Sequence, residues 1–416
     1  MSEALPQGPA PLRRQGPRPL LLHLSLAMLR SSASIAASPD SKSGWPRSSA
    51  GFRAGAARLR AALGPSGGPA DLAFRRAVLA EALRQDRDLI AGIAGYRRHP
   101  YRRDLPDPPV LWQEGGTRLL DYAPPGRRRG GRSAPSVLFV PSLINRAYVL
   151  DLASGGSMLR WLAGQGLRPL LLDWGWPGEA ERGFTLTDYI AGRLERALAA
   201  APRRLVLAGY CMGGLLALAA ALRQPARLRA LALLATPWDF HAGGAERAMT
   251  LARILPLLEP AFAFSASLPI DCLQMLFAAL DPFGVGGKYR SFAHLDPESP
   301  RAHRFVALED WLNDGVPLAA PVARECLGGW YGANSPARGT WRVAGLPVDP
   351  RGLRMPAFVA MPWRDRIVPP ESARPLADLI AGAVLHAPQA GHIGMVAGSN
   401  AEAALWRPFR DWIGSL

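Results

Sequence analysis

Residues 209–214 read GYCMGG, and their flanks constrain the fold more than any other feature of the chain. Before them runs Arg204-Leu205-Val206-Leu207-Ala208, an apolar stretch of strand length, and after them Leu215-Leu216-Ala217-Leu218-Ala219-Ala220-Ala221-Leu222, a helix former. A strand that turns through glycines straight into a helix makes a tight elbow, and small neighbours are needed because the helix must pass close by. This is the setting in which G-x-S-x-G holds a nucleophilic serine, with Cys211 in its place.

The runs around the elbow repeat its logic. SVLFVPSL (136–143), LRPLLLDWGWPG (167–178), LRALALLAT (228–236), PAFVAM (356–361) and 383–386 read as strands, most of them with helix-like segments between. Continuous apolar strands alternating with helices predict a mostly parallel central sheet with helices on both faces. PVLWQEG and TRLLDYAP read as short strands, followed by GRRRGGR as an exposed hairpin tip. From 240 to 343 the alternation lapses into a Phe-, Leu- and Pro-rich, mainly helical insertion, expected to cap the carboxyl ends of the strands. The expected division is therefore core over 70–239, cap over 240–343 and core again over 344–416. Residues 71–93 read as an amphipathic helix, whereas 1–68, rich in Pro, Ser, Gly and Arg, are expected to be mostly disordered, with order starting at Ala70.

Charge is uneven. The chain carries +16, and residues 1–133 hold 22 basic against 10 acidic side chains. That excess fits an anionic surface as partner, or simply an arginine-rich composition; nucleic acid is not the expected partner. Arg13, Arg14 and Arg18 followed by PLLLHLSLAML imitate a secretory signal, but Arg30 ends the run, and no stretch reads as long enough to span a membrane. Cys211, Cys272 and Cys326 lack C-x-x-C or zinc spacing, so neither a disulfide framework nor a metal is expected, in keeping with a cytoplasmic protein.

A nucleophile on this elbow calls for an acid and a histidine later in the chain, each just beyond a core strand. Asp365 in MPWRDRIVPP follows the strand ending at Met361, and His392 in QAGHIGM lies in a loop beyond the last strand. Asp239 in TPWDF is a competing acid. The helix start points its free N–H groups at the reacting carbon, so the Met212 N–H is a candidate oxyanion donor, and its positive end favours a thiolate. Taken alone, G-x-C-x-G also fits a glycine turn around a buried cysteine; the acid and histidine in order argue for chemistry.

From roughly residue 110 to the end the chain resembles the polyhydroxyalkanoate synthases, most closely the short catalytic subunits of the two-subunit classes. The likeness runs through LLLDWGWPG, FTLTDYI, GYCMGG, TPWDFH, FVALEDWLNDG, ECLGGWYGAN, RDRIVPP and AGHIGM. It implies an α/β-hydrolase fold and a Cys211, His392 and Asp365 set acting on 3-hydroxyacyl-CoA as substrate, without a further cofactor. It also implies a second oxyanion donor in PSLINRAY (141–148), at Leu143, and a homodimer, a second synthase subunit or a polymer granule surface as partner. A cysteine hydrolase, thioesterase or depolymerase, is the alternative on the same scaffold, and a non-catalytic granule or nucleoid protein a third reading. The sequence departs from the family at Met212, where many two-subunit synthases have glutamine, in DPFGVGGKYRSFAHL, and over the first 70 or so residues. A thiol suits acyl transfer because attack on a CoA thioester yields another thioester, and the acyl group stays activated.

Overall fold

The apolar runs pair into one eight-stranded sheet. In chain order its strands are β1 (Val110–Glu114), β2 (Thr117–Asp121), β3 (Ser136–Val140), β4 (Arg168–Asp173), β5 (Leu205–Tyr210), β6 (Leu228–Leu234), β7 (Ala357–Ala360) and β8 (Val384–His386). Their order across the sheet is β1-β2-β4-β3-β5-β6-β7-β8. Only the β1–β2 and β2–β4 pairings are antiparallel. Every residue of β5 is buried, as expected for a central parallel strand covered on both faces. This computed structural model describes residues 14–36, 50–123 and 134–416. The GRRRGGR turn lies outside the described residues.

The chain divides into two compact units, Met1–Tyr101 with Gln274–Val306, and Arg102–Leu273 with Ala307–Leu416. The second holds the sheet. Its backbone confirms the alternation of strand and helix, including the helix Met212–Arg223 directly after β5.

The first unit corrects the expected division. Order does not start at Ala70, because Leu20–Ala36 is a helix packed along the long helix Pro69–Arg98. Leu20, Leu24 and Ala27 join the cluster of Leu89, Ile93 and Tyr96. Ser31 Oγ donates to Asp86 at 2.8 Å, and Arg30, read as the end of an apolar run, reaches Gln85. Arg14 donates to the carbonyls of His99 and Tyr101. A local window misses this because the apolar partners of the segment lie some sixty to seventy-five residues further on. A further helix covers Ala50–Leu63.

Nor is the insertion a single cap. Tyr289, Phe292, Ala302 and Val306 complete the core of the Pro69–Arg98 helix, so Gln274–Val306 belongs with the N-terminal helices. Gly92 allows the close approach: a Cβ there would stand 2.0 Å from the Tyr289 carbonyl oxygen.

A second correction concerns Ala245–Ser265, which by length and composition alone is long and apolar enough to cross a membrane. Glu246, Arg247, Arg253 and Glu259 break the sequence into short apolar runs, which the helices Ala245–Ala252 and Leu255–Ser265 carry in succession. Glu259 pairs with Arg324 at 2.6 Å, and the Arg324 guanidinium lies over the Phe262 ring.

Candidate active site

The elbow is built by close packing. A Cβ at Gly213 would stand 2.1 Å from the Val140 carbonyl oxygen and one at Gly214 1.8 Å from Thr236 Oγ1, so the helix start lies against the end of β3 and the residues after β6. Cys211 adopts φ 56° and ψ −128°. A non-glycine residue holds this region only when its surroundings impose it, at roughly 1–3 kcal/mol. The imposition comes from the Cys211 N–H donating to Leu234 at 2.8 Å and the Gly214 N–H donating to Cys211 at 2.9 Å. The strained backbone lifts the sulfur off the end of β5.

Asp365 and His392 meet there although 27 residues separate them. His392 Nδ1 donates to Asp365 Oδ2 at 2.6 Å. The other carboxylate oxygen, Oδ1, accepts the N–H groups of Ile367 and Val368, both at 2.8 Å. The two loops are stitched together by main-chain bonds from Met361 to His386, Trp363 to Pro388 and Arg364 to Ala390, at 2.8, 3.0 and 2.9 Å. The dyad therefore sits on paired backbone, which fixes its geometry better than side-chain packing alone.

Both partners are buried. Burial works against a charged imidazole, but the Cys211 charge, the hydrogen bonds to Asp365 and Cys211 and the Asp365 charge outweigh it, and His392 is pushed up from 6.5 to about 10. The site thus favours an imidazolium beside the cysteine sulfur. Cys272 and Cys326 stand in the opposite situation, since burial pushes both thiols up.

Asp239 does not reach the histidine. Its Oδ1 accepts from the His241 N–H at 2.9 Å and from Asn334 Nδ2 at 2.8 Å, so its carboxylate holds the turn after β6. His241 Nε2 then donates to the Tyr331 carbonyl at 2.8 Å, and the Tyr331 ring packs edge-on against Phe240. Burial raises the Tyr331 hydroxyl, and the charge of Cys211 adds to that.

Of the two expected oxyanion donors, Met212 is the first residue of the helix after the elbow, and Leu143 lies in the loop after β3 with its side chain in the core. Neither N–H donates to a protein acceptor among the described residues, whereas the neighbouring Ile144 N–H is taken by Ser142 Oγ at 3.1 Å. Trp174 Nε1 fastens the loop by donating to the Pro141 carbonyl at 3.0 Å. The sequence gives Trp174 and Asn334 no signal beyond their place inside WGWPG and YGAN, and marks Tyr210 only as a residue of the nucleophile turn, beside Met212, with no role.

Residues 135–253 match the family described as alpha/beta hydrolase fold. The chain is 30% identical over 315 residues to the poly(3-hydroxyalkanoate) polymerase subunit PhaC of Haloferax mediterranei, covering 73% of this chain and 63% of the relative. To the protein of the same name from Haloarcula marismortui it is 28% identical, covering 73% and 66%. To that from Allochromatium vinosum it is 27% identical, covering 67% and 80%. The chain thus spans just under two thirds of the length of the two haloarchaeal relatives.

Proposed function

We propose that the chain, a member of the polyhydroxyalkanoate synthase family of the α/β-hydrolase superfamily, is an acyltransferase, moving 3-hydroxyacyl groups from coenzyme A through a thioester on Cys211. The observation that carries this reading is the strained cysteine beside a buried imidazole that is bound to Asp365 and held in its charged form.

In the first half-reaction the Cys211 sulfur attacks the thioester carbonyl carbon. The N–H groups of Met212 and Leu143 receive the developing oxyanion. As the bond to the coenzyme A sulfur breaks, His392 gives its proton to that sulfur. Acylation leaves a neutral thioester on Cys211, so the main influence that held the proton on His392 disappears. The imidazole, still oriented by Asp365, becomes a base. It takes the proton from the hydroxyl of a second 3-hydroxyacyl group, whose oxygen attacks the acyl carbon. An oxygen ester forms, the Cys211 thiolate leaves, and the charged pair is restored. The edge-on pair of Phe240 and Tyr331, in the segments after β6 and before β7, is apolar surface of the kind that keeps water from a thioester.

We place this chemistry in the cytoplasm, which three free cysteines support. A homodimer or a second synthase subunit, and the surface of the polymer granule, are the partners that this reading implies. The deciding experiment incubates the purified full chain with 3-hydroxybutyryl-CoA, following free thiol and the acyl product. Thiol release with polymer supports the proposal; release with free 3-hydroxybutyrate makes the protein a hydrolase; no release with the chain alone or with a synthase partner subunit refutes it.

A further inference from the structure

The residue before the nucleophile occupies a position that chain geometry alone does not explain. Tyr210 is the last residue of β5 and is buried. Its ring centroid lies 5.1 Å from that of His392 with 33° between the planes, so the phenol packs at a tilt against the imidazole. Its hydroxyl donates to the His392 carbonyl oxygen at 3.2 Å. One side chain thus grips the histidine twice, at the ring and at the main chain.

We propose that Tyr210 is a positioning residue for the base: its hydroxyl fixes the His392 main chain, and its π face holds the imidazole over Cys211 and favours the charged ring. The backbone explains why this residue can do so. Tyr210 is paired with Leu234 of β6, and the next residue, Cys211, donates its N–H to the same Leu234. Nucleophile and brace are therefore adjacent residues on one rigid strand end. Asp365 constrains the imidazole from Nδ1 and Tyr210 packs against its ring, so the end of β5 adds a second constraint to the one that the paired loops supply.

The groups facing the imidazole are Cys211 from the elbow, Asp365 from the loop after β7 and Tyr210 itself, with Tyr331 subject to the Cys211 charge. The Tyr210 hydroxyl stays neutral, because burial and then the charges of Cys211 and Asp365 push it well above its ordinary range. Its contribution to a cationic ring is then the quadrupole of its face, an attraction of the cation–π kind. Tyrosine and phenylalanine share that face; aliphatic side chains lack it.

The proposal rests on reading Cys211 and His392 as the reacting pair, but its test does not depend on the identity of the substrate. The full chain is labelled with ¹⁵N-histidine, the His392 resonances are assigned by their loss in His392→Gln, and the ring is titrated in wild type, Tyr210→Phe and Tyr210→Leu. Removing the aromatic face should lower the His392 midpoint by roughly half to one pH unit, while Tyr210→Phe should stay within about 0.3 unit. With 3-hydroxybutyryl-CoA, Tyr210→Leu should lose about tenfold or more in kcat with little change in KM, and Tyr210→Phe, which loses only the hydroxyl bond to the His392 carbonyl, should recover most of that loss. An unchanged midpoint in Tyr210→Leu overturns the proposal, as does a Tyr210→Phe variant as impaired as the leucine one. If Tyr210→Leu does not fold, Tyr210→Met takes its place with the same expectations. Should wild type release no coenzyme A, the functional reading fails while the titrations still decide the role of Tyr210.

Discussion

Asp365→Asn removes one charge and, through the geometry around it, also inverts the histidine. Three N–H groups point at the carboxylate: Ile367 and Val368 at Oδ1, His392 Nδ1 at Oδ2. An asparagine has one acceptor oxygen for them. Turned toward the two main-chain donors, which together are worth about 1–3 kcal/mol, its amide NH₂ faces Nδ1 and can only donate. The imidazole must then carry its proton on Nε2, on the side from which it should accept one. Turned the other way, the amide opposes two buried N–H groups and loses both bonds. The first arrangement costs less, so the variant should fold with the wrong tautomer, and kcat for coenzyme A release should fall about 10⁴-fold, the scale known when a catalytic histidine loses its orienting carboxylate. The charge-assisted bond itself, about 1.5–3 kcal/mol, predicts a fall of roughly one to two units in the His392 midpoint. Stopped assays of thiol release on folded protein, with Asp239→Asn beside it, test the reasoning. A loss of less than tenfold in Asp365→Asn, or an equal loss in Asp239→Asn, refutes it.

Two further outcomes follow from the same geometry. Gly213→Ala places a methyl group 2.1 Å from a main-chain oxygen of β3 that cannot move aside. It should destabilise the protein by at least about 3 kcal/mol, seen as a fall of roughly 6 °C or more in the thermal midpoint; unchanged melting would show that the elbow can open. Because His392 has a folded value of about 10 against an ordinary 6.5, its protonation contributes stability that is complete below about pH 6.5 and is lost as pH rises toward 10. The gap in melting temperature between wild type and His392→Gln should therefore narrow across that range, and a gap that widens contradicts the charged histidine.

The sheet was legible because its strands are buried on both sides, which leaves continuous apolar runs such as SVLFV and LRALALL that few other structures would produce. The dyad was legible for a topological reason: in an open parallel sheet the loops after successive strands converge at one end, so Asp365 after β7 and His392 after β8 had to approach the elbow after β5. What the sequence hid depends on partners distant along the chain. The helix Leu20–Ala36 packs Leu20, Leu24 and Ala27 against residues some sixty to seventy-five positions later, so in isolation it resembled a targeting segment. Gln274–Val306 looked continuous with its neighbours in the insertion because the aromatic residues that tie it to the N-terminal helices follow no local period. The two-point grip of Tyr210 on His392 joins residues 182 positions apart, and nothing in GYCMGG announces it.

The raised histidine also explains why the elbow carries sulfur and what oxygen would do in its place. The Cys211 charge is the first of the influences that raise His392 to about 10, so the elbow sets a sulfur beside an imidazolium. A serine hydroxyl is far too weak an acid to ionise under that influence, and its neutral oxygen would remove the charge that raises the histidine. In Cys211→Ser the His392 midpoint should therefore drop by more than a unit, as burial, the largest opposing influence, is left facing Asp365 alone. Coenzyme A release should fall to a small remnant, since the nucleophile must now be deprotonated within each attack, and the enzyme-bound intermediate would be an oxygen ester, less reactive toward another hydroxyl than the thioester. Histidine NMR and thiol release on the same preparation check both halves. If Cys211→Ser kept its midpoint near 10 it would show that Asp365 alone sustains the imidazolium, and the charge cycle between Cys211 and His392 would have to be abandoned.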